Sequence, residues 1–337
     1  MLMFSKNNLN TVHMNKIAVL FALLLSACSS KKEQSYVTAS NGNLNHVTVV
    51  MNDEEWNGEL GETVRNEIAS IYEGLPIDEP RFSLRHLHPT AFEGFFRNSR
   101  NILWFKKDSL SSFELRQNQF AKPQIVGFFK GEDQEVLSEY VKENAQLIIG
   151  LFEENERKEK LRRIKKSMAN EGTLEKRFNI SMNYPSVYKT LKDTTNFIWI
   201  RKPVQKGHLN IVAYTLPLNG VSKNPLDQIK KMRDSIGKIY IPGRLKGGYM
   251  ITEEAYLPYL YKTKLNEQEA YLTKGMWEVE KDFMAGPFVN YKIKDEKNSR
   301  WIIIEGFAFA PTISKRDYMF ELNTILTSFK QIDKKVN

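Results

Sequence analysis

The sequence predicts an α+β protein of two domains, the second an antiparallel-sheet sandwich with a C-terminal helix. Three observations carry this. Stretches that read as strands follow one another late in the chain, at 255–264, 268–280, 288–294 and 301–309. Strands run together and then closed by a helix form an α+β pattern. A single long helical region, 133–167, separates this part from an earlier one in which strands and helices alternate. Near the C-terminus Tyr318, Leu322, Ile325, Leu326 and Phe329 recur at helical spacing, an apolar stripe able to cover a sheet.

In chain order, residues 1–27 read as a leader and signal peptide. Met14-Asn15-Lys16 opens a short basic region, and an apolar run from Ile17 to Leu25 follows. A charged start, a short apolar core and small residues at a cleavage point make a secretory signal. The run is about half of the roughly 20 residues that a spanning helix needs. Leu25-Ser26-Ala27-Cys28 resembles a bacterial lipobox, in which the cysteine is acylated and becomes the new N-terminus. Cys28 is the chain's one cysteine. No disulfide can form within the chain, so its folded stability must come from its cores. Ser29 follows where Asp would be expected for retention in an inner membrane. This resembles sorting to the outer membrane, with the body facing the periplasm. Residues 28–45 are Ser, Lys, Asn and Gly rich and read as the lipidated cysteine and a flexible tether.

The N-terminal α/β domain is expected over 46–167. It begins with a buried strand at 46–51 and a helix at 59–71, whose Leu60, Val64 and Ile68 make one stripe. Gly74-Leu75-Pro76 and Pro80 break the chain before a strand at 81–87. A helix is expected at 90–97, then strands at 101–106, 112–119 and 124–129. The first half of the long helix carries Leu137, Val141, Ile148 and Phe152 on a core-facing stripe. Its second half, 153–166, is almost wholly charged and reads as a solvated helix bridging the domains, laced by ion pairs one turn apart.

The basic C-terminal α+β domain is expected over 168–331. Strands at 180–184, 197–201 and 210–216 precede a helix whose Asn224 caps it and whose Pro225 takes the first helical position. Leu226, Ile229, Met232 and Ile236 form its stripe, and Gly237 is expected to end it. After the four late strands, Ser314-Lys315-Arg316-Asp317 has the shape of a capping box and opens the final helix. Tyr184-Pro-Ser-Val-Tyr188 near the front and Leu326-Thr-Ser-Phe329 at the end make this domain look like the Mog1/PsbP-like fold. That likeness implies an architecture and nothing about activity.

Several blocks resemble an uncharacterised family of Bacteroidetes lipoproteins, domain of unknown function 4837. They are Ala121-Lys-Pro-Gln-Ile-Val126, Lys231-Met-Arg-Asp-Ser-Ile-Gly237, Gly248-Tyr-Met-Ile-Thr-Glu-Glu-Ala255, Met284-Ala-Gly-Pro-Phe-Val-Asn290 and Ser314-Lys-Arg-Asp-Tyr-Met-Phe320. The resemblance implies a lipid anchor and an envelope address, and no assigned site.

Charge narrows the choice of partner. The formal net charge is +9. Residues 167–337 hold 27 Lys+Arg and 18 Asp+Glu, whereas 46–166 hold 18 and 21. A basic second half points to an anionic partner, which in an envelope means lipid head groups, lipopolysaccharide or cell-wall carboxylates rather than nucleic acid. Even spread for solubility is the plain alternative. The best anion-binding candidate is the loop Pro242-Gly-Arg244-Leu-Lys246-Gly-Gly248, with Arg233 and Lys238 on the helix before it. Its glycines could turn backbone N–H groups toward an anion.

No nucleophile elbow, zinc-protease motif or phosphate loop occurs, so no cofactor or metal is expected. His86-x-His88 lacks the further ligands that zinc needs. Glu253 and Glu254 could serve an acid–base mechanism, though neighbours on a strand point to opposite faces. Tyr256, Tyr259, Tyr261, Trp277, Phe283, Phe288 and Tyr291 crowd the late strands as sheet core or as a groove for sugar or peptide. The expectation is a binding or assembly module anchored to the outer membrane. A carboxylate-based hydrolase of envelope glycans or peptides and a structural spacer are the alternatives.

Overall fold

The computed structural model describes residues 37–218 and 224–332. The leader, Cys28 and the first part of the expected tether lie outside the described residues. From Ala39 onward the described residues form one compact unit with two main sheets, of five and eight strands.

The first sheet is built around β1 (His46–Val50). Helices α1 (Asp53–Asn57) and α2 (Glu59–Ile68) follow, then β2 (Ser83–Leu87), β3 (Asn101–Lys107), β4 (Ser112–Gln117) and β5 (Ile125–Gly131). The order is β2-β1-β3-β5-β4, parallel throughout except for β4. A strand inside a parallel sheet is covered on both faces, which explains why β1 is buried from Val47 through Val50. Val47 and Val49 pack with Leu60, Val64, Ile68, Leu137, Val141 and Phe152 from the helices. Val50 faces the other way, onto Phe92, Ile102 and Val126. The helix expected at 90–97 is instead two 3-10 turns, Pro89–Ala91 and Gly94–Asn98. Gly94 opens the second turn at φ +46, where a regular helix cannot run through.

Helix α3 (Gln134–Lys165) spans 32 residues, with Asp133 accepting from the Val136 N–H at 3.0 Å as its N-cap. Its first half buries the expected stripe. Its second half departs from the expected solvated helix, because Asn155, Glu156, Glu159 and Ile164 are buried there. The physical reason is supplied partners. The Glu156 carboxylate accepts from Arg100 Nε at 2.8 Å, Arg100 Nη2 at 3.0 Å, Asn101 Nδ2 at 2.7 Å and the Asn45 N–H at 3.0 Å. Burial still pushes the Glu156 carboxyl above its ordinary value. The same arginine donates to the Asn43 carbonyl at 2.8 Å, and the Asn41 N–H donates to the Asn98 carbonyl at 2.8 Å. The last residues of the expected tether, from Ala39 to Asn45, are therefore bonded into the body.

The second sheet has eight strands. After α4 (Thr173–Phe178) and the short β6 (Ile180–Ser181) come β7 (Lys189–Asp193), β8 (Phe197–Val204), β9 (Gly207–Pro217) and α5 (Pro225–Tyr240). Then follow β10 (Met250–Thr252), β11 (Tyr259–Leu265), β12 (Gln268–Val279), β13 (Asp282–Asp295), β14 (Arg300–Phe309), α6 (Arg316–Leu326) and β15 (Lys330–Gln331). The sheet runs β10-β12-β13-β14-β9-β8-β7, all antiparallel, with β11 also on the edge of β12. Alternation sorts β14: Ile302, Ile304 and Ala308 join a core with α6 residues Leu322, Ile325 and Leu326. Trp301, Ile303 and Phe307 join the opposite core, which Met232, Ile236 and Tyr240 of α5 cover. The predicted α+β architecture is present, with this one sheet lying between α5 and α6.

Two helix ends differ from expectation. Asn224 does cap α5, accepting from the Asp227 N–H at 3.3 Å. Gly237, however, does not end it; the helix continues to Tyr240. Gly237 is required because a Cβ there would lie 1.9 Å from the Met250 carbonyl oxygen. At α6 the Ser314 box is absent, since the N-cap is Lys315 and has no side-chain cap bond. Glu79 from the first half takes the role, accepting from the Lys315 N–H at 2.7 Å and the Arg316 N–H at 2.9 Å. Further polar contacts fasten the halves together. Glu321 of α6 accepts from Lys160 of α3 at 2.5 Å, from Lys202 at 2.7 Å and from Tyr188 at 2.8 Å. Among the described residues no helix is long and apolar enough to cross a membrane.

Candidate anion-binding pocket

On the α5 side of the second sheet, beyond the end of that helix, lies a cavity of about 320 Å³. This is at the small end of the ~300–1,000 Å³ typical of ligand sites. Its floor follows from strand periodicity. Trp199 and Arg201 are two apart on β8 and share a face, as do His208 and Asn210 on β9. Antiparallel register sets Arg201 opposite Asn210, and His208 opposite Phe309 of β14. Phe307, Trp277 and Met284 extend the floor across β14, β12 and β13.

The chain from Ile241 to Met250 makes the remaining wall. Ile241, Pro242, Gly243, Arg244 and Met250 all border the cavity. Gly243 is needed for close approach, since a Cβ there would meet Val279 Cγ1 at 2.5 Å. The loop closes on itself: the Gly243 N–H donates to the Gly248 carbonyl at 2.8 Å, and the Gly248 N–H to the Leu245 carbonyl at 3.0 Å. These two backbone donors are thus turned inward, contrary to the expected anion cradle.

The four basic residues singled out from sequence part company. Arg233 is buried beneath α5, bidentate to Glu305 at 2.7 and 2.8 Å and bonded to Thr252, with its guanidinium 3.5 Å from the Phe288 ring centroid. It has no exposed face to offer a ligand; a buried arginine needs such a partner. Lys238 lies over the Tyr249 ring at 5.6 Å, and Lys246 is exposed; neither borders the cavity. Arg244 alone reaches the rim. It is already paired with Asp282 at 2.6 and 2.9 Å, and Arg244 in turn holds the Asp282 carboxyl below its ordinary value.

The residue that sequence reasoning missed is Arg201. Its Nε donates to Asn210 Oδ1 at 3.0 Å and its guanidinium lies 4.6 Å from the Trp199 ring centroid. Asn210 Oδ1 also accepts from Trp199 Nε1 at 3.0 Å, which fixes both side chains. No carboxylate pairs with Arg201 among the described residues. Burial pushes its pKa down with no acid to oppose it. Beside it, burial and then the Arg201 charge push His208 down to about 4, so its imidazole is neutral at neutral pH. The lining contains no Asp or Glu. A half-buried cation facing an aromatic cavity without a counter-charge is suited to receive an anion. The Trp-x-Arg and His-x-Asn pairs flanking the turn at 205–206 were the available sequence signal.

The other candidates go elsewhere. Glu253 and Glu254 fall between β10 and β11 rather than on a strand, and neither borders this cavity. Burial and these two carboxylates raise the Glu278 carboxyl. Of the late aromatics only Trp277 lines the cavity; Phe288 and Tyr291 are buried in opposite cores, and Phe283 is fully exposed. His86 Nε2 lies 2.9 Å from the Met51 carbonyl oxygen and the ring stacks on Trp56. No cluster of three metal-ligating side chains occurs among the described residues.

Comparison with known proteins gives two family matches. Residues 40–165 match a domain of unknown function, DUF8532, and residues 166–328 match another, DUF4837. No curated protein matches the chain. Among solved structures, the Ran-binding protein Mog1p of Saccharomyces cerevisiae is 9% identical, covering 46% of this chain and 91% of its own, with a TM-score of 0.32. Cyanobacterial PsbP from Synechocystis is 9% identical, covering 49% and 92%, at 0.31. A Bacteroides thetaiotaomicron protein is 17% identical, covering 46% of each chain, at 0.25. The architecture described above rests on the strand order and helices themselves. The two matches together run from residue 40 to residue 328, each to a domain of unknown function.

Proposed function

We propose that this chain is an outer-membrane lipoprotein of the Bacteroidetes kind, held through acylated Cys28, whose second half binds an anionic envelope component in the Arg201 cavity. The observation that carries the binding role is Arg201, a cation half-buried against Trp199 with no carboxylate partner among the described residues. The anchor is supported by the Leu25-Ser26-Ala27-Cys28 motif. Several acyl chains hold a protein to a membrane far more firmly than one. A carboxylate hydrolase is less well supported, because the cavity lining holds no Asp or Glu.

The binding role is tested by exposing the full chain and its Arg201→Gln variant to soluble envelope extract, washing, denaturing, and identifying released small molecules by mass spectrometry. An anion retained by the parent and missing from the variant is the expected result. Identical retention by both overturns it. The address is tested separately: Cys28→Ala should leave the outer-membrane fraction, and its persistence there contradicts the anchor.

A further inference from the structure

We propose that the cavity's ligand is a small monocarboxylate with an apolar body, its head group on Arg201 and its body against Trp277, Met284, Phe307 and Phe309. This rests on the cavity being the binding site.

Charge sets the head group. Among the described residues Arg201 is the one lining cation without a carboxylate, since Arg244 is paired with Asp282. Its Nε is held by Asn210, leaving the two terminal nitrogens without a protein partner among the described residues. Their fork geometry matches the two oxygens of a carboxylate. A monoester phosphate carries about −1.5 to −2 charge at neutral pH. It would leave excess negative charge in a mostly apolar enclosure, which is costly. His208 is neutral there and offers a hydrogen bond without a second charge.

Shape sets the body. Beyond Arg201 and His208, the floor is aromatic and thioether, with the Ile241 and Met250 side chains on the facing wall. Such a lining favours a hydrocarbon or ring, and the two methionines adapt to either. The cavity volume fits a monomer and excludes a polymer bound along its length.

The test uses the full chain carrying Cys28→Ser, so that no acyl group competes, titrated calorimetrically at neutral pH with octanoate, octan-1-ol and octyl phosphate. Octanoate should bind at least about tenfold tighter than octan-1-ol, the weight of one charged hydrogen-bonded contact. Arg201→Gln should abolish that margin, and Met284→Trp, which fills the cavity from β13, should weaken octanoate binding. Thermal melts confirm that each variant is folded. Equal affinity for acid and alcohol, tighter binding of octyl phosphate, or no binding of octanoate overturns the proposed ligand class. Octanoate binding unchanged in both variants places it elsewhere and overturns the cavity itself as the site.

Discussion

Arg233 and Glu305 close on each other through two hydrogen bonds of 2.7 and 2.8 Å, both side chains almost wholly buried under α5. The pair sits on the same side of the sheet as Arg201, which meets no carboxylate among the described residues. One arginine therefore serves the fold, and the other has no carboxylate beside it among the described residues. Replacing Arg233 by Met should strand a buried carboxylate and cost about 3–5 kcal/mol in urea unfolding. Adding Glu305→Gln should return part of that loss, because no charge is then left unpaired. A cost under about 1 kcal/mol for the single variant contradicts the structural role.

The N-terminus of α6 gives a paired prediction. Glu79→Ala should cost about 0.5–2 kcal/mol, the usual worth of a helix cap. Ser314→Ala should fall within about 0.5 kcal/mol of the parent, since Ser314 is exposed and makes no cap bond. Chemical unfolding of the two variants side by side decides it. A larger loss for Ser314→Ala would restore the local capping box.

Gly237→Ala tests close packing against helix propensity. Propensity alone favours Ala by about 1 kcal/mol in a helix interior. The new methyl group would lie 1.9 Å from the Met250 carbonyl oxygen, so overpacking should win, with a net loss of about 1 kcal/mol or more. A variant more stable than the parent would show that β10 yields easily.

These cases show what the sequence could and could not reveal. Local periodicity was readable: the stripe of Leu60, Val64 and Ile68, the Asn224-Pro225 helix start, and the late strands all follow from neighbours in the chain. Glu79 capping a helix 236 positions away is not encoded in any local pattern. Nor is the burial of Glu156, which depends on Arg100, Asn101 and Asn45 arriving from other elements. The pocket was half legible. Counting basic residues favoured Arg233, but charge counts do not reveal which arginine finds an acid. Arg201 could have been reached only by pairing Trp199 and Arg201 with His208 and Asn210 across their hairpin.

Acid should loosen the junction between the halves. Burial opposes the charge of Glu321, yet Lys160 and Lys202 outweigh it and hold the carboxyl below its unfolded value of 4.5. A depressed carboxyl contributes stability that is full above the unfolded value and is lost as pH falls through the lower folded one. Replacing Glu321 by Gln should therefore reduce the urea midpoint at pH 7 more than at pH 3. A difference independent of pH would mean that Glu321 is not charged in the folded protein.

In the proposed site Arg201, and not the basic loop, holds the anion. The direct measurement is calorimetric titration of octanoate into the Cys28→Ser chain and into the same chain with Arg201→Gln or Lys246→Gln. Arg201→Gln should lose at least about tenfold, and exposed Lys246→Gln should keep affinity within about twofold of the parent. Loss in Lys246→Gln with Arg201→Gln unchanged would contradict it.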